Sequence, residues 1–216
     1  KVTIDPLGGD NFGFIFVDDG DIMLSDLTIS GTTRTGAPGS YDGAAIYFEI
    51  GAGSKTLSLT NVVLANNSTA QSGASGGAIY TYDNAGGGIA NLSLTTCTLS
   101  TNSSGGNGGA IYCNGGGTIT MSQCVFNGNT TTFNNGSALA TISGSSSISN
   151  CLFYENSCAT SGKLGTIHFA GSGNHTFNHT TIADNTAIGS GTGGITITAG
   201  TVNMKNSILY GNTTDD

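Results

Sequence analysis

The chain has 216 residues, a net charge of −8 and only five lysines and arginines. Charged residues make up 8% of it, against about 25% in an ordinary soluble domain. This balance excludes the basic surface that binds nucleic acid or an anionic membrane. No apolar stretch approaches the ~20 residues of a membrane span, so we expect no membrane insertion by this segment.

The N-terminal stretch contains three short apolar segments separated by turns. The last segment, Leu27–Ser30, alternates apolar and polar residues, which is the period of a half-buried β-strand, and the other two segments fit the same unit that recurs later in the chain. The apolar positions are Phe14, Phe16, Ile22, Leu24, Leu27 and Ile29. The pattern therefore predicts three short strands here, and no stretch of the chain has the sustained period of a helix.

The same unit recurs along the rest of the chain. The first strand of each unit contains an apolar residue that recurs along the chain. The last three intervals between these residues are equal (111 to 139, 139 to 167 and 167 to 195). The members of this column are Ile46, Ile79, Ile111, Leu139, Ile167 and Ile195. A repeat of this length is typical of a solenoid, propeller or array.

One unit shows how the strands are arranged. Ile119 and Met121 alternate with polar residues, and Cys124 and Phe126 resume an inward face after a turn. Such short strands are stable only when stacked in register, ~4.8 Å apart, on neighbouring units. We therefore predict one all-β domain over residues 1–216, a parallel β-helix (β-solenoid) of about seven coils with three short strands per coil.

An asparagine recurs three residues after the apolar residue of the last strand. Asparagine tolerates the left-handed backbone region and suits a tight bend. The stacked side chains are predicted to form an amide ladder between coils. The ladder residues are Asn67, Asn102, Asn129, Asn156, Asn185 and Asn212.

Two motifs indicate a family. Gly76–Ile79 and Gly108–Ile111 read Gly-Gly-Ala-Ile, while Phe126–Asn129 and Phe153–Asn156 read Phe-x-x-Asn. The pair resembles the polymorphic outer membrane protein repeats of bacterial autotransporters and the right-handed parallel β-helix repeats of large secreted bacterial surface proteins. The resemblance implies a right-handed helix, export to the bacterial cell surface and a role in adhesion or surface display. We expect this domain to be a fragment of a longer solenoid.

Three cysteines occupy one column. Cys97, Cys124 and Cys151 are equally spaced (97 to 124 and 124 to 151), and other coils place Val62, Thr180 and Ser207 there. A metal or redox ladder is one interpretation, but the exchange with other small residues favours simple packing. Cys113 is predicted to point inward and Cys158 to follow a corner, and their disulfide status stays open. Five is an odd number, so at least one thiol is free or pairs outside this chain.

An aromatic strip is the candidate binding surface. Tyr47, Tyr80 and Tyr112 each follow the core isoleucine, so they are predicted to stack on one outward line. Such a strip suits sugar rings or a protein partner, although stacked aromatic residues also stabilise a sheet without any ligand. By register, His168 is predicted to point outward, His175 inward and His179 to lie on a corner, so the histidines diverge, which disfavours a zinc site.

The acidic residues give weak support to catalysis. Polysaccharide lyases and hydrolases with this architecture need carboxyl groups that face one groove. The densest acidic group, Asp18, Asp19 and Asp21, lies in a turn without a nearby basic residue, which favours a solvated turn or a weak calcium site.

We therefore expect a non-catalytic adhesin or stalk module that uses no cofactor and lies at the bacterial cell surface. Its partner would be a glycan or a protein on a host or neighbouring cell. The alternatives are a fibre subunit, with copies stacked end to end, and a polysaccharide-acting enzyme.

Overall fold

The computed structural model describes residues 2–4, 15–35, 43–69, 71–83, 87–160, 162, 164–189 and 191–215. These residues form strands and turns, and there is no helix among them. The prediction for the first coil was wrong by one residue: Ile15 and Val17, not Phe14 and Phe16, occupy the core positions and pair with Ile46 and Phe48. Phe14 and the side chain of Phe16 lie outside the described residues.

The described part of the chain contains 29 short strands. The first fifteen are β1 (Val2–Ile4), β2 (Ile15–Asp18), β3 (Ile22–Ser25), β4 (Leu27–Ser30), β5 (Thr33–Arg34), β6 (Ile46–Ile50), β7 (Ser54–Thr60), β8 (Val63–Ala65), β9 (Ser68–Thr69), β10 (Ile79–Asp83), β11 (Ile89–Thr95), β12 (Thr98–Ser100), β13 (Ser103–Ser104), β14 (Ile111–Asn114) and β15 (Thr118–Ser122). The others are β16 (Val125–Asn127), β17 (Thr130–Thr131), β18 (Leu139–Thr141), β19 (Ser145–Ser149), β20 (Leu152–Tyr154), β21 (Ser157–Cys158), β22 (Ile167–Phe169), β23 (Asn174–Asn178), β24 (Thr181–Ala183), β25 (Thr186–Ile188), β26 (Ile195–Ile197), β27 (Thr201–Lys205), β28 (Ile208–Tyr210) and β29 (Thr213–Asp215).

The strands form four parallel sheets, which the chain visits in turn on every coil. Sheet A has the order β2-β6-β10-β14-β18-β22-β26, and sheet B has the order β3-β7-β11-β15-β19-β23-β27. Sheet C has the order β1-β4-β8-β12-β16-β20-β24-β28, and sheet D has the order β5-β9-β13-β17-β21-β25-β29. The predicted parallel β-helix is confirmed. Sheet D adds a short fourth strand to the three predicted for each coil.

The register matches the predicted columns. In sheet A, Ile79 pairs with Ile46 on one side and with Ile111 on the other. The column continues through Leu139, Ile167 and Ile195. Residues about 28 positions apart therefore lie directly over one another, at the ~4.8 Å spacing of paired strands.

Apolar side chains stack along the axis and form the core. The rings of Phe126 and Phe153, from neighbouring strands of sheet C, lie 4.6 Å apart and only 9° from parallel. Both are fully buried, as are Leu64 and Leu99 in the same column. Each such side chain contributes roughly 1.5–3 kcal/mol through burial, and this repeated contribution lets strands of three residues persist.

Packing explains the Gly-Gly pair before sheet A. Gly108 has φ +66°, in the left-handed region, and a Cβ on it would collide with the carbonyl oxygen of Ile111. A Cβ on Gly109 would collide with the carbonyl oxygen of Ser137 in the next coil. The first glycine thus permits the turn, and the second permits the close approach of neighbouring coils.

The corner prediction was wrong about which residue takes the left-handed conformation. The ladder asparagines do not adopt it; the residue before each one does, as with Asn66 (φ +56°) and Glu155 (φ +54°). A ladder asparagine can therefore keep its amide directed along the axis. A second left-handed corner precedes the cysteine column, at Thr96, Gln123 and Asn150.

Candidate functional site

The predicted tyrosine column is present on sheet A. Tyr47, Tyr80 and Tyr112 are in register on β6, β10 and β14. The ring of Tyr80 lies 5.3 Å from that of Tyr47, with 21° between their planes, and 5.6 Å from that of Tyr112, at 52°. The column is less open than predicted, because Tyr80 is only 6% exposed while its two neighbours are half-buried.

A second column beside the tyrosines was not predicted. Side chains two positions apart share one face of a strand, and two residues further along these strands lie Glu49, Tyr82 and Asn114, in register. The ring of Tyr82 lies 6.2 Å from that of Tyr80. The Asn114 amide donates a hydrogen bond of 2.7 Å to the Tyr80 hydroxyl. We name Tyr47, Tyr80, Tyr82 and Tyr112 the tyrosine cluster.

Asp83 fixes the end of the strand that carries the centre of the cluster. Its carboxylate accepts hydrogen bonds from the backbone amides of Ala90, at 2.6 Å, and Gly116. It therefore ties the end of β10 to the start of β11 and to the turn after β14. Asp83 pairs with the buried Ile50, on the face of the strand opposite to Tyr80 and Tyr82, so its role is structural. Asp19 follows the paired Asp18 and accepts the corresponding bond, from the backbone amide of Ala52, on the first coil.

The outward column contains no tyrosine in the two strands after Tyr112. Ala140 and His168 follow it in register on β18 and β22. Both are buried, and burial lowers the pKa of His168 below its usual range. Among the described strands of sheet A, tyrosines therefore occupy this column on β6, β10 and β14, and Phe16 of β2 pairs with Tyr47.

The acidic turn is used for contacts between coils. Asp21 accepts a hydrogen bond of 2.7 Å from the backbone amide of Thr56, and Asp19 accepts a longer one, 3.4 Å, from that of Ala52. The side chain of Asp18 lies outside the described residues. The two described carboxylates thus bond the following coil, and calcium binding stays a prediction.

The amide ladder runs through the interior. Each Oδ1 accepts bonds from the backbone amide and the side-chain amide of the asparagine one coil earlier. The backbone bonds measure 3.0 Å (Asn67 to Asn102), 3.0 Å (Asn102 to Asn129), 3.0 Å (Asn129 to Asn156), 2.9 Å (Asn156 to Asn185) and 3.3 Å (Asn185 to Asn212). Thr32 caps one end by donating from its amide and its hydroxyl to the Oδ1 of Asn67. The ladder is a structural element, as predicted.

The cysteine column is also as predicted, and all five cysteines are buried and free of disulfide bonds. Burial raises the pKa of Cys113 to about 12. Within the column, a hydrogen bond with Cys151 raises the pKa of Cys124 to about 12, while the bond from Cys124 lowers that of Cys151. A bond with Cys124, together with burial, raises the pKa of Cys97. The three thiols therefore contact one another in sequence.

His175 points into the core, as predicted. Its ring stacks on that of Phe169, with centroids 3.6 Å apart and planes at 8°. Nδ1 lies 3.1 Å from the hydroxyl of Ser146, and Nε2 has no hydrogen-bond partner among the described residues. Burial lowers the pKa of His175, which favours the neutral ring inside the solenoid.

Within the part of the chain that the structure describes, no group of three or more histidine, cysteine and acidic side chains could hold a metal ion. In the same residues, no helix is long and apolar enough to cross a membrane. Comparison with known proteins gave no match to a family model, a curated protein or a solved structure.

Proposed function

We propose that this chain is a non-catalytic binding module of a bacterial surface protein, in which the solenoid acts as a rigid stalk and the tyrosine cluster as its contact surface. The ligand is a glycan or a protein on another cell. The resemblance of the Gly-Gly-Ala-Ile and Phe-x-x-Asn motifs to bacterial surface repeats supports the location outside the cell.

The tyrosine cluster is the observation that carries this proposal. Four aromatic rings lie within 6.2 Å of their neighbours on three adjacent strands. Tyrosine combines an apolar ring with a polar hydroxyl, so it suits ligands that have both kinds of surface, such as sugar rings. Tyrosine is also enriched among the residues that dominate binding energy at protein interfaces.

The scaffold lowers the cost of binding. Tyr47, Tyr80 and Tyr112 lie on strands paired on both sides, and the Asn114 amide holds the Tyr80 hydroxyl. Ligand binding then orders few additional side chains, and ordering each one costs about 0.5–1.5 kcal/mol.

Charge indicates which ligands fit best. Glu49 lies in the column beside the cluster, and the whole chain has a net charge of −8. Like charges repel across an interface. We therefore expect neutral or amino sugars to bind more tightly than sugars with carboxylate or sulfate groups.

A glycan array tests this proposal. The variant is Tyr47→Ala combined with Tyr112→Ala, which removes two of the half-buried rings and keeps Tyr82 and the buried Tyr80. The matched control is Tyr154→Ala, a half-buried tyrosine on sheet C. We expect wild type and control to bind the same neutral glycans, and the double variant to bind them at least about tenfold more weakly, a loss of about 1.4 kcal/mol.

Two results would overturn the binding role of the cluster. One is equal binding by the double variant and the wild type. The other is an absence of binding on both the glycan array and a panel of extracellular matrix proteins. Circular dichroism of each variant shows whether the solenoid is still folded.

A further inference from the structure

Three thiols form a continuous column at the corner before sheet C. Cys97, Cys124 and Cys151 directly precede β12, β16 and β20, and the following residues are in register. The backbone amide of Cys124 donates a hydrogen bond of 3.4 Å to the sulfur of Cys151. All three side chains are at most 3% exposed. Successive cysteines therefore precede neighbouring strands that are spaced ~4.8 Å apart.

Carbonyl oxygens line this column. Each sulfur lies close to the carbonyl oxygen of the residue two positions earlier. The distances are 3.3 Å (Cys97 to Thr95), 3.3 Å (Cys124 to Ser122) and 3.1 Å (Cys151 to Ser149). Carbonyl oxygens carry partial negative charge, so they disfavour an isolated thiolate, and a thiolate forms in this column only with a cation beside it.

We propose that Cys124, together with either Cys97 or Cys151, binds one soft two-coordinate cation of the Cu(I) type. Thiolate ligands select soft ions such as Cu(I). Two metal–sulfur bonds of about 2.3 Å, the length in zinc thiolates, span about 4.6 Å end to end, which is close to the strand spacing of ~4.8 Å. On binding, two thiol protons pass to solvent and one Cu(I) enters between the two thiolates, without oxidation or reduction, so the occupied site carries a net charge of −1.

The arrangement of the sulfurs determines the coordination. A structural zinc site surrounds its ion with four ligands, and the described residues contain no group that does so. Stacked thiols instead lie along a line, so an ion between two of them has one sulfur on each side. The corner residues Thr96, Gln123 and Asn150 are exposed, which places the column one residue from solvent.

The chain itself shows that a hydroxyl is tolerated in this column. Thr180 and Ser207 occupy the next two coils, and the Thr180 amide donates to the Ser207 hydroxyl at 3.2 Å, as Cys124 does to Cys151. The Ser207 hydroxyl also donates to the carbonyl two residues earlier, at 2.8 Å. A Cys→Ser substitution therefore keeps the local hydrogen bonds and removes the soft ligand.

The test is anaerobic competition for Cu(I) between the whole chain and a chromogenic Cu(I) chelator. The variants are Cys97→Ser, Cys124→Ser and Cys151→Ser, with Cys113→Ser as the matched control because it is a buried thiol outside the column. We expect Cys124→Ser to weaken Cu(I) binding by more than about 100-fold, since even the outer partners of metal ligands change affinity by ~10–100-fold. Cys97→Ser and Cys151→Ser each keep one thiol pair and should bind within about tenfold of wild type, as should the control.

Cys124 decides the outcome, because it belongs to both possible thiol pairs. Wild-type affinity in Cys124→Ser would overturn the proposal, and so would a loss of binding in Cys113→Ser or an absence of binding by wild type. X-ray absorption at the copper edge adds a second readout, with two sulfur neighbours expected in wild type. Neither measurement depends on the tyrosine cluster or on any ligand bound there.

Discussion

Removing one asparagine from the middle of the amide ladder should destabilise the solenoid strongly. The Oδ1 of Asn129 accepts bonds from the backbone amide and the side-chain amide of Asn102, both at 3.0 Å. Its Nδ2 donates to the carbonyl of Leu99 and to the Oδ1 of Asn156, both at 2.9 Å. All four bonds of this side chain lie in the interior.

The expected cost follows from the groups left without partners. In Asn129→Ala, two buried donors of Asn102 lose their acceptor, at about 1–3 kcal/mol each. The variant should therefore be about 2–6 kcal/mol less stable, a large part of the 5–15 kcal/mol typical of a folded domain. Asn127→Ala is the matched control, because Asn127 is half-buried at the end of β16, two residues before Asn129, and should cost about 0.5 kcal/mol.

Urea unfolding followed by circular dichroism measures both variants. Thr32→Val adds an intermediate case, since it removes one hydroxyl donor from the end of the ladder and leaves no buried donor unpaired. We expect the order Asn129→Ala, Thr32→Val, Asn127→Ala in loss of stability, with unchanged slopes against denaturant. The ladder would not be a source of stability if Asn129→Ala and Asn127→Ala differed by less than about 1 kcal/mol.

Two further predictions concern pH and backbone geometry. Burial lowers the pKa of His175 in the folded chain. Below the unfolded pKa of about 6.5 the unfolded chain therefore binds more protons than the folded one, and stability falls as pH falls. Thermal melts should show a smaller loss of melting temperature between pH 8 and pH 5 in His175→Leu than in wild type, and an equal loss would contradict this. Gly108→Ala places a Cβ at φ +66° against the carbonyl of Ile111 and should lower the melting temperature. Gly116→Ala is the control, because its Cβ would meet nothing closer than 3.9 Å, and it should melt at a clearly higher temperature. Equal melting temperatures would refute the steric explanation of the Gly-Gly pair.

The columns of the solenoid could be predicted because each one repeats. Ile111, Leu139 and Ile167 are equally spaced, so their spacing alone places them in one column. The amide ladder and the cysteine column followed in the same way. In each case a stack of similar residues satisfies the same physical requirement on every coil.

Features of two residues or fewer were not predictable in this way. Sheet D is built from strands such as Ser68–Thr69, in which alternation cannot be recognised. The burial of Tyr80 depends on rings on both sides and on Tyr82. The left-handed corner falls on Asn66 or Glu155 and has no fixed residue type. These features depend on three-dimensional neighbours that the repeat does not encode.

Residues that break the columns are therefore the best guide to function in this chain. A column of isoleucine, phenylalanine or asparagine is required by stacking wherever it occurs, so it carries little information about ligands. Tyr82 and Asp83 belong to one coil, and the outward tyrosines give way to Ala140 and His168. The bonds of Asp83 to two backbone amides explain that residue. Stacking does not require the tyrosines around Tyr80, and ligand contact is the explanation that the array experiment addresses.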